Sequence, residues 1–116
     1  MSKLIYVASP YWHENKDIIE NNYRLVSEYV AELCAQGHVA VSVITYGHTI
    51  LKFADMPNNW EFWSNFCLTV LAKADELVVY KMPGWDVSRG VAGEIAFAQE
   101  HNIPITYKEY ECETVN

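Results

Sequence analysis

The sequence predicts a single α/β domain: a parallel sheet of about four strands, order 2-1-3-4, covered by helices on both faces in a three-layer sandwich. Three observations carry this. Short apolar runs alternate with segments of helical period, and successive runs are joined by helical crossovers. The chain has 116 residues, of which 51% are hydrophobic and 14% aromatic, which is material for one packed core and too little length for two.

The first strand is Leu4 to Ala8, a run with the composition of a strand buried on both faces, ended by Ser9-Pro10. From Asn15 to Gln36 the apolar positions Ile18/Ile19, Tyr23, Val26, Tyr29/Val30 and Leu33 recur at helical spacing, and Gly37 stands where a left-handed cap belongs. Val39 to Ile44 reads as the second strand, and Thr45 to Pro57, which has no clear period, as a loop. A second helix is expected from Asn58/Asn59 to about Ala74, with Asn58 and Glu61 spaced like a capping box. Leu77 to Tyr80 is the third strand, Gly84 to Ala98 leads into the third helix, and Ile103 to Tyr107 is the fourth strand. The acidic tail from Lys108 is expected to fray.

The second helix carries more apolar surface than one sheet contact uses. Trp60, Trp63, Cys67, Val70/Leu71 and Ala74 form one stripe, while Phe62, Phe66 and Leu68 lie off it. Deep burial within the domain and a contact between copies both account for that excess, and a homo-oligomer is the expected assembly.

Charge and cysteine usage narrow the function. Fifteen acidic against eight basic side chains give a formal charge of −7, which argues against a nonspecific nucleic-acid or anionic-membrane binder, since both need a basic face. The three cysteines, Cys34, Cys67 and Cys112, form no C-x-x-C pair, so neither a disulfide framework nor a thiolate zinc site is expected. His13, His38, His48 and His101 have no metal-ligand spacing and read as surface or loop residues. No metal or cofactor is expected. The first apolar run is far too short for a signal peptide or a membrane span, and a cytoplasmic location is expected.

In a Rossmann/flavodoxin-like sheet of this order a ligand binds beyond the carboxyl ends of strands one and three, where the order changes direction. The segments that meet there are Ser9-Pro10-Tyr11-Trp12 and Met82 to Gly93. With Ser88 as N-cap, Arg89, Gly90 and Val91 hold the first free N–H groups of the third helix, a setting for a phosphate or carboxylate. At about 100° per residue, Val91, Ile95, Ala98 and Asn102 face the sheet and Arg89, Ala96 and Glu100 face water. Glu94 lies on the flank between, above Gly90, where a partly desolvated carboxylate can act as nucleophile or base. Asp75, before the third strand, and Asp86, near its carboxyl end, are the other carboxylates considered.

Two motifs, "IYVASPYW" and "ADELVVYKMPGWDVSRGVAGEIAFA", resemble the nucleoside 2-deoxyribosyltransferase-like superfamily, including its small phage and bacterial members and the deoxynucleoside 5'-monophosphate N-glycosidases. With the matching element order the resemblance covers essentially the whole chain, though residues 45 to 63 match loosely. It implies a retaining attack in which Glu94 adds to the anomeric carbon of a 2-deoxyribosyl group and Tyr6 orients that carboxylate. It also implies that Ser88 and Gly90 contact a 5'-phosphate; Ser9, Tyr11 and Trp85 complete the expected substrate-binding set. The family's aspartate on the second helix is missing, for Phe66, Cys67 and Leu68 stand near its place, which leaves Asp75 and Asp86 as candidate proton donors. The expected partner is thus a small nucleotide or nucleoside, and neither a nucleic-acid polymer nor a membrane. A non-catalytic nucleotide-binding or sensing protein on the same scaffold is the main rival, and a flavin-binding module is a distant third.

Overall fold

In a computed structural model that describes residues 2 to 111, a four-stranded, all-parallel sheet in the order β2-β1-β3-β4 forms the centre of an α/β sandwich. The elements are β1 (Leu4–Ala8), α1 (Lys16–Ala35), β2 (Val39–Val41), α2 (Val43–Ile50), α3 (Trp60–Leu71), β3 (Glu76–Lys81), α4 (Arg89–Glu100) and β4 (Ile105–Glu109), with a 3-10 turn, Trp85–Val87, before α4. The predicted fold class and strand order are those observed.

Period-two alternation along the strands assigns each side chain to a layer. Tyr6 and Ala8 of β1, with Leu77 and Val79 of β3, pack with Cys67 and Leu71 of α3 and Val91 and Ala98 of α4. Ile5 and Val7, with Val78, pack on the other face with Leu25 and Val26 of α1. One face therefore belongs to α1 and the other to α3 and α4. This places Tyr6, in the middle of β1, beneath the helix that carries Glu94.

The region between β2 and α3 differs from expectation. The second strand ends at Val41 and not Ile44, and the stretch read as a loop opens with α2. Ser42 is the cause: extended at φ −128° and ψ 124°, it accepts a hydrogen bond from the Thr45 amide at 3.3 Å and starts a helix three residues after the strand begins to pair. At eight residues this helix is too short for its period to stand out in the sequence. Asn59, not Asn58, caps α3, accepting from the Phe62 amide at 2.9 Å, and Glu61 turns to Arg89 at 2.5 Å in place of closing a capping box. The helix also stops at Leu71, short of Ala74.

At the far edge, β4 is displaced two residues toward the C-terminus. Lys108 and Glu109, expected in a frayed tail, pair with Tyr80 and Lys81 of β3, and Lys81 Nζ meets Glu109 Oε1 at 2.7 Å. The shift follows β3, which itself continues to Lys81 and offers partners there. The rest of that tail, residues 112 to 116 with Cys112, lies outside the described residues. Asn102, placed on the sheet-facing side of the third helix by its period, is instead exposed beyond the end of α4 at φ 58°. Among the described residues no helix is long and apolar enough to cross a membrane.

Candidate active site

A cavity of about 770 Å³ opens at the carboxyl ends of β1 and β3, the switch point of the strand order. Its wall takes Tyr6 and Ser9 to His13 from β1 and the following loop, Gly47 and His48 from α2, Trp60, Trp63 and Cys67 from α3, and Ser88, Gly90 and Glu94 from the α4 side. Separate segments thus converge where sheet topology leaves a gap.

Glu94 is the chemical centre of this wall. It is 6% exposed, deeper than the flank its helical angle suggested, because α3 closes over the side of α4 that a sequence plot leaves open. The Tyr6 hydroxyl donates to its Oε2 in a short, buried hydrogen bond between β1 and α4. Burial raises the Glu94 carboxyl from its ordinary 4.5 to about 8, against the opposing pull of the Tyr6 hydrogen bond. The same burial, with the neighbouring Glu94 and Cys67, holds the Tyr6 hydroxyl well above its ordinary range, so it remains a donor. Cys67, buried beside them, is pushed up to about 12, first by burial and then by Glu94, and is a thiol rather than a thiolate.

The α4 N-terminus forms the adjoining wall. Ser88 is the N-cap, as expected, its Oγ accepting from the Val91 amide at 3.2 Å. Its hydroxyl proton stays available to an incoming acceptor. Across the cavity, Ser9 is 4% exposed, and its Oγ has no hydrogen-bond partner among the described residues. An unmet buried hydroxyl costs roughly 1–3 kcal/mol, so a ligand atom that satisfies it recovers that cost on binding. Arg89 points outward, as its helical angle predicted, and pairs with Glu61.

The two glycines of α4 have a structural task. A Cβ on Gly93 would stand 2.5 Å from the Trp60 indole, and one on Gly90 would stand 3.4 Å from it. The indole occupies the space that both glycines leave and adds an aromatic plane to the cavity wall. Gly90 lines the cavity, but what uses its missing side chain is Trp60.

Three expected residues are elsewhere. Asp75 lies at the opposite end of the sheet, where its carboxylate accepts from the Leu4 amide at 2.7 Å; it precedes a parallel strand whose other end forms the site. Asp86 sits exposed in the 3-10 turn, outside the cavity wall. Trp85 packs toward β4, with its ring edge-on to Tyr107 at 5.9 Å and Lys81 Nζ 5.4 Å from its centroid. The 3-10 turn rotates this pair away from the crevice, a detail that linear proximity to Ser88 concealed.

His48 is the principal omission. Expected in a surface loop, it is 9% exposed on α2, with its ring stacked on Tyr23 at 4.1 Å. Nδ1 is 2.8 Å from the Tyr11 hydroxyl and Nε2 is 2.9 Å from Glu20 Oε1. Tyr11 keeps its assigned place on the cavity wall, held by Asn22 of α1, whose amide donates to the Tyr11 carbonyl at 3.1 Å. A sequence signal for His48 existed in its spacing of four from Ile44, which lines the same cavity, but only a helix makes that spacing meaningful.

Residues 3–110 match the family model described as a domain of unknown function, DUF1937. The chain belongs to that family. Among curated proteins none matches it. In this DUF1937 domain the matched span contains every residue of the cavity wall, including the Tyr6–Glu94 pair, the Ser88 cap and the Tyr11–His48 pair. Among the described residues no group of three or more His, Cys, Asp or Glu side chains is arranged to hold a metal ion.

Proposed function

We propose that this cavity cleaves, or exchanges the base of, the N-glycosidic bond of a 2'-deoxynucleoside 5'-monophosphate, with Glu94 as nucleophile, as in the nucleoside 2-deoxyribosyltransferase-like proteins it resembles. The observation that carries the proposal is the buried Tyr6–Glu94 hydrogen bond at the floor of a cavity flanked by a helix N-terminus.

The chemistry follows from that geometry. A 5'-phosphate meets the free amides of α4 and the Ser88 hydroxyl, where the helix dipole favours negative charge. A nucleobase has the aromatic walls of Tyr11, Trp12, Trp60 and Trp63 to lie against. The sugar between them brings its anomeric carbon to Glu94. Attack by the carboxylate forms a glycosyl ester and expels the base, and water or a second base completes the cycle; one difficult step becomes two easier ones. Tyr6 favours the ionised carboxylate and fixes which oxygen is free. The free protein holds Glu94 largely protonated at neutral pH, so the nucleophile is the minor form until the pH rises or substrate binds.

That protonated state also favours a second reading, a protein that binds a nucleotide without turnover. Incubation with a panel of deoxynucleotides and deoxynucleosides, with free base followed by chromatography, separates the two. Release that Glu94→Ala abolishes supports the enzyme; saturable binding without release supports the binder; release that survives Glu94→Ala removes Glu94 from the mechanism.

A further inference from the structure

The departing base needs a proton, and the cavity offers few groups able to give one. Cys67, on α3 near the place of the family's missing aspartate, is a buried thiol with no histidine among the described residues bonded to it that could return a proton, whereas the Tyr11 hydroxyl is bonded to His48. Glu61 also borders the cavity, but its backbone hydrogen bond and Arg89 hold its carboxyl below the ordinary carboxylate range, so it stays ionised. Asp75 and Asp86 are not in the wall. Glu94 is engaged as the nucleophile.

Resting on the reading of the site just proposed, we infer that Tyr11, His48 and Glu20 form a proton relay that protonates the leaving base. Three elements build it. Tyr11 stands in the loop after β1 with its hydroxyl on His48 Nδ1, His48 comes from α2, and Glu20 from α1 accepts at Nε2. Tyr23 stacks on the imidazole and Asn22 fixes the Tyr11 backbone, so the ring and the phenol have defined orientations. Tyr11 and His48 both border the cavity that holds Glu94, while the Glu20 side chain, 63% exposed, connects the relay to solvent. Burial raises the Tyr11 hydroxyl above its ordinary range, so it holds its proton in the free protein.

In the imidazolium both ring nitrogens donate, Nε2 to Glu20 and Nδ1 to the Tyr11 oxygen. The Tyr11 proton is then directed to a ring nitrogen of the base. As the Glu94 carboxylate forms its bond to the anomeric carbon, the carbon–nitrogen pair passes to the base, Tyr11 supplies its proton, and His48 Nδ1 returns one to Tyr11. The carboxylate and the imidazolium are both consumed, and a glycosyl ester, a neutral imidazole and a neutral base result. Tyr11 is the catalytic residue of this set; His48 and Glu20 are positioning and recharging residues that act through it.

The test compares two substrates, the best-cleaved natural deoxynucleotide and 4-nitrophenyl 2-deoxyribofuranoside 5-phosphate, whose leaving group departs without a proton. Positioned general acids contribute about 10²–10⁴-fold. Tyr11→Phe and His48→Gln are expected to lose about 100-fold or more in kcat on the nucleotide and less than about 10-fold on the nitrophenyl substrate. Equal losses on both substrates would mean that the triad only braces the fold and would overturn the relay, as would no loss on either. Glu94→Ala run alongside keeps the two ideas apart. If it silences both substrates while the relay variants cleave normally, the relay alone is wrong; if the unaltered protein cleaves neither, the reading of the whole site fails and the relay falls with it. Urea midpoints of each variant show that the proteins compared are folded.

Discussion

Replacing Glu94 by glutamine is expected to stabilise the protein, increasingly so as pH rises. The folded protein titrates this carboxyl at about 8, against an ordinary value of 4.5 that the unfolded chain retains. Between those values the folded state holds a proton that the unfolded state has released, so unfolding stability must fall as pH increases. At about 1.4 kcal/mol per pH unit the interval amounts to on the order of 4–5 kcal/mol by pH 8. The contribution is intact below pH 4.5 and is lost as pH climbs toward the folded value. The glutamine amide of the variant does not titrate, keeps the side-chain volume and still accepts from the Tyr6 hydroxyl. Urea denaturation of both proteins at a series of pH values from 5 to 8 measures the difference directly, and every other titrating group cancels because it is common to the pair. At pH 5 the two should agree within about 1 kcal/mol; at pH 8, with a urea slope of about 1–3 kcal/mol per molar, the midpoint of the Glu94→Gln protein should lie more than about 1 M higher. Parallel pH dependences would show that Glu94 is ionised at little cost in the folded state, and the account of a desolvated nucleophile would be wrong.

Tyr6→Phe removes the one effect that opposes burial at Glu94. A hydrogen bond to a charged group is worth about 1.5–3 kcal/mol, so the Glu94 titration should move up by about 1–2 pH units, read from the side-chain carboxyl carbon by NMR; an unmoved midpoint would sever the link between the two residues. Gly93→Ala places a methyl against Trp60 and should cost about 1–3 kcal/mol in urea, while Gly90→Ala, with more room, should cost less. A reversed order would mean that Trp60 is not held as described. Phe62 and Phe66 of α3 are 48% and 39% exposed, with Phe66 stacked on Tyr46 of α2 at 5.4 Å. If this aromatic surface joins two copies, light scattering at micromolar concentration should report a dimer or larger assembly that Phe66→Glu dissociates; a monomeric unaltered protein would refute that role.

Much of this was written locally. Alternation of apolar runs with helical periods is a property of each segment, and it specified the strands, the parallel order and the crevice between β1 and β3. Tyr6 was tied to Glu94 by the family resemblance alone, and Ser88 announced its helix because an N-cap works through residues two and three positions away. Tertiary structure decided what depends on several elements at once. Glu94 looked half-solvated on a helical projection, and α3 buried it. Asp75 and Asp86 looked close to the site along the chain, but one lies at the far end of a strand and the other on the outside of a turn. His48 and Glu20 are 28 residues apart on different helices and meet through a hydrogen bond that neither segment foretells. Periodicity records which way a side chain leaves its own backbone; the partner it finds there depends on how the other elements are packed, and that information is absent from any single stretch of sequence.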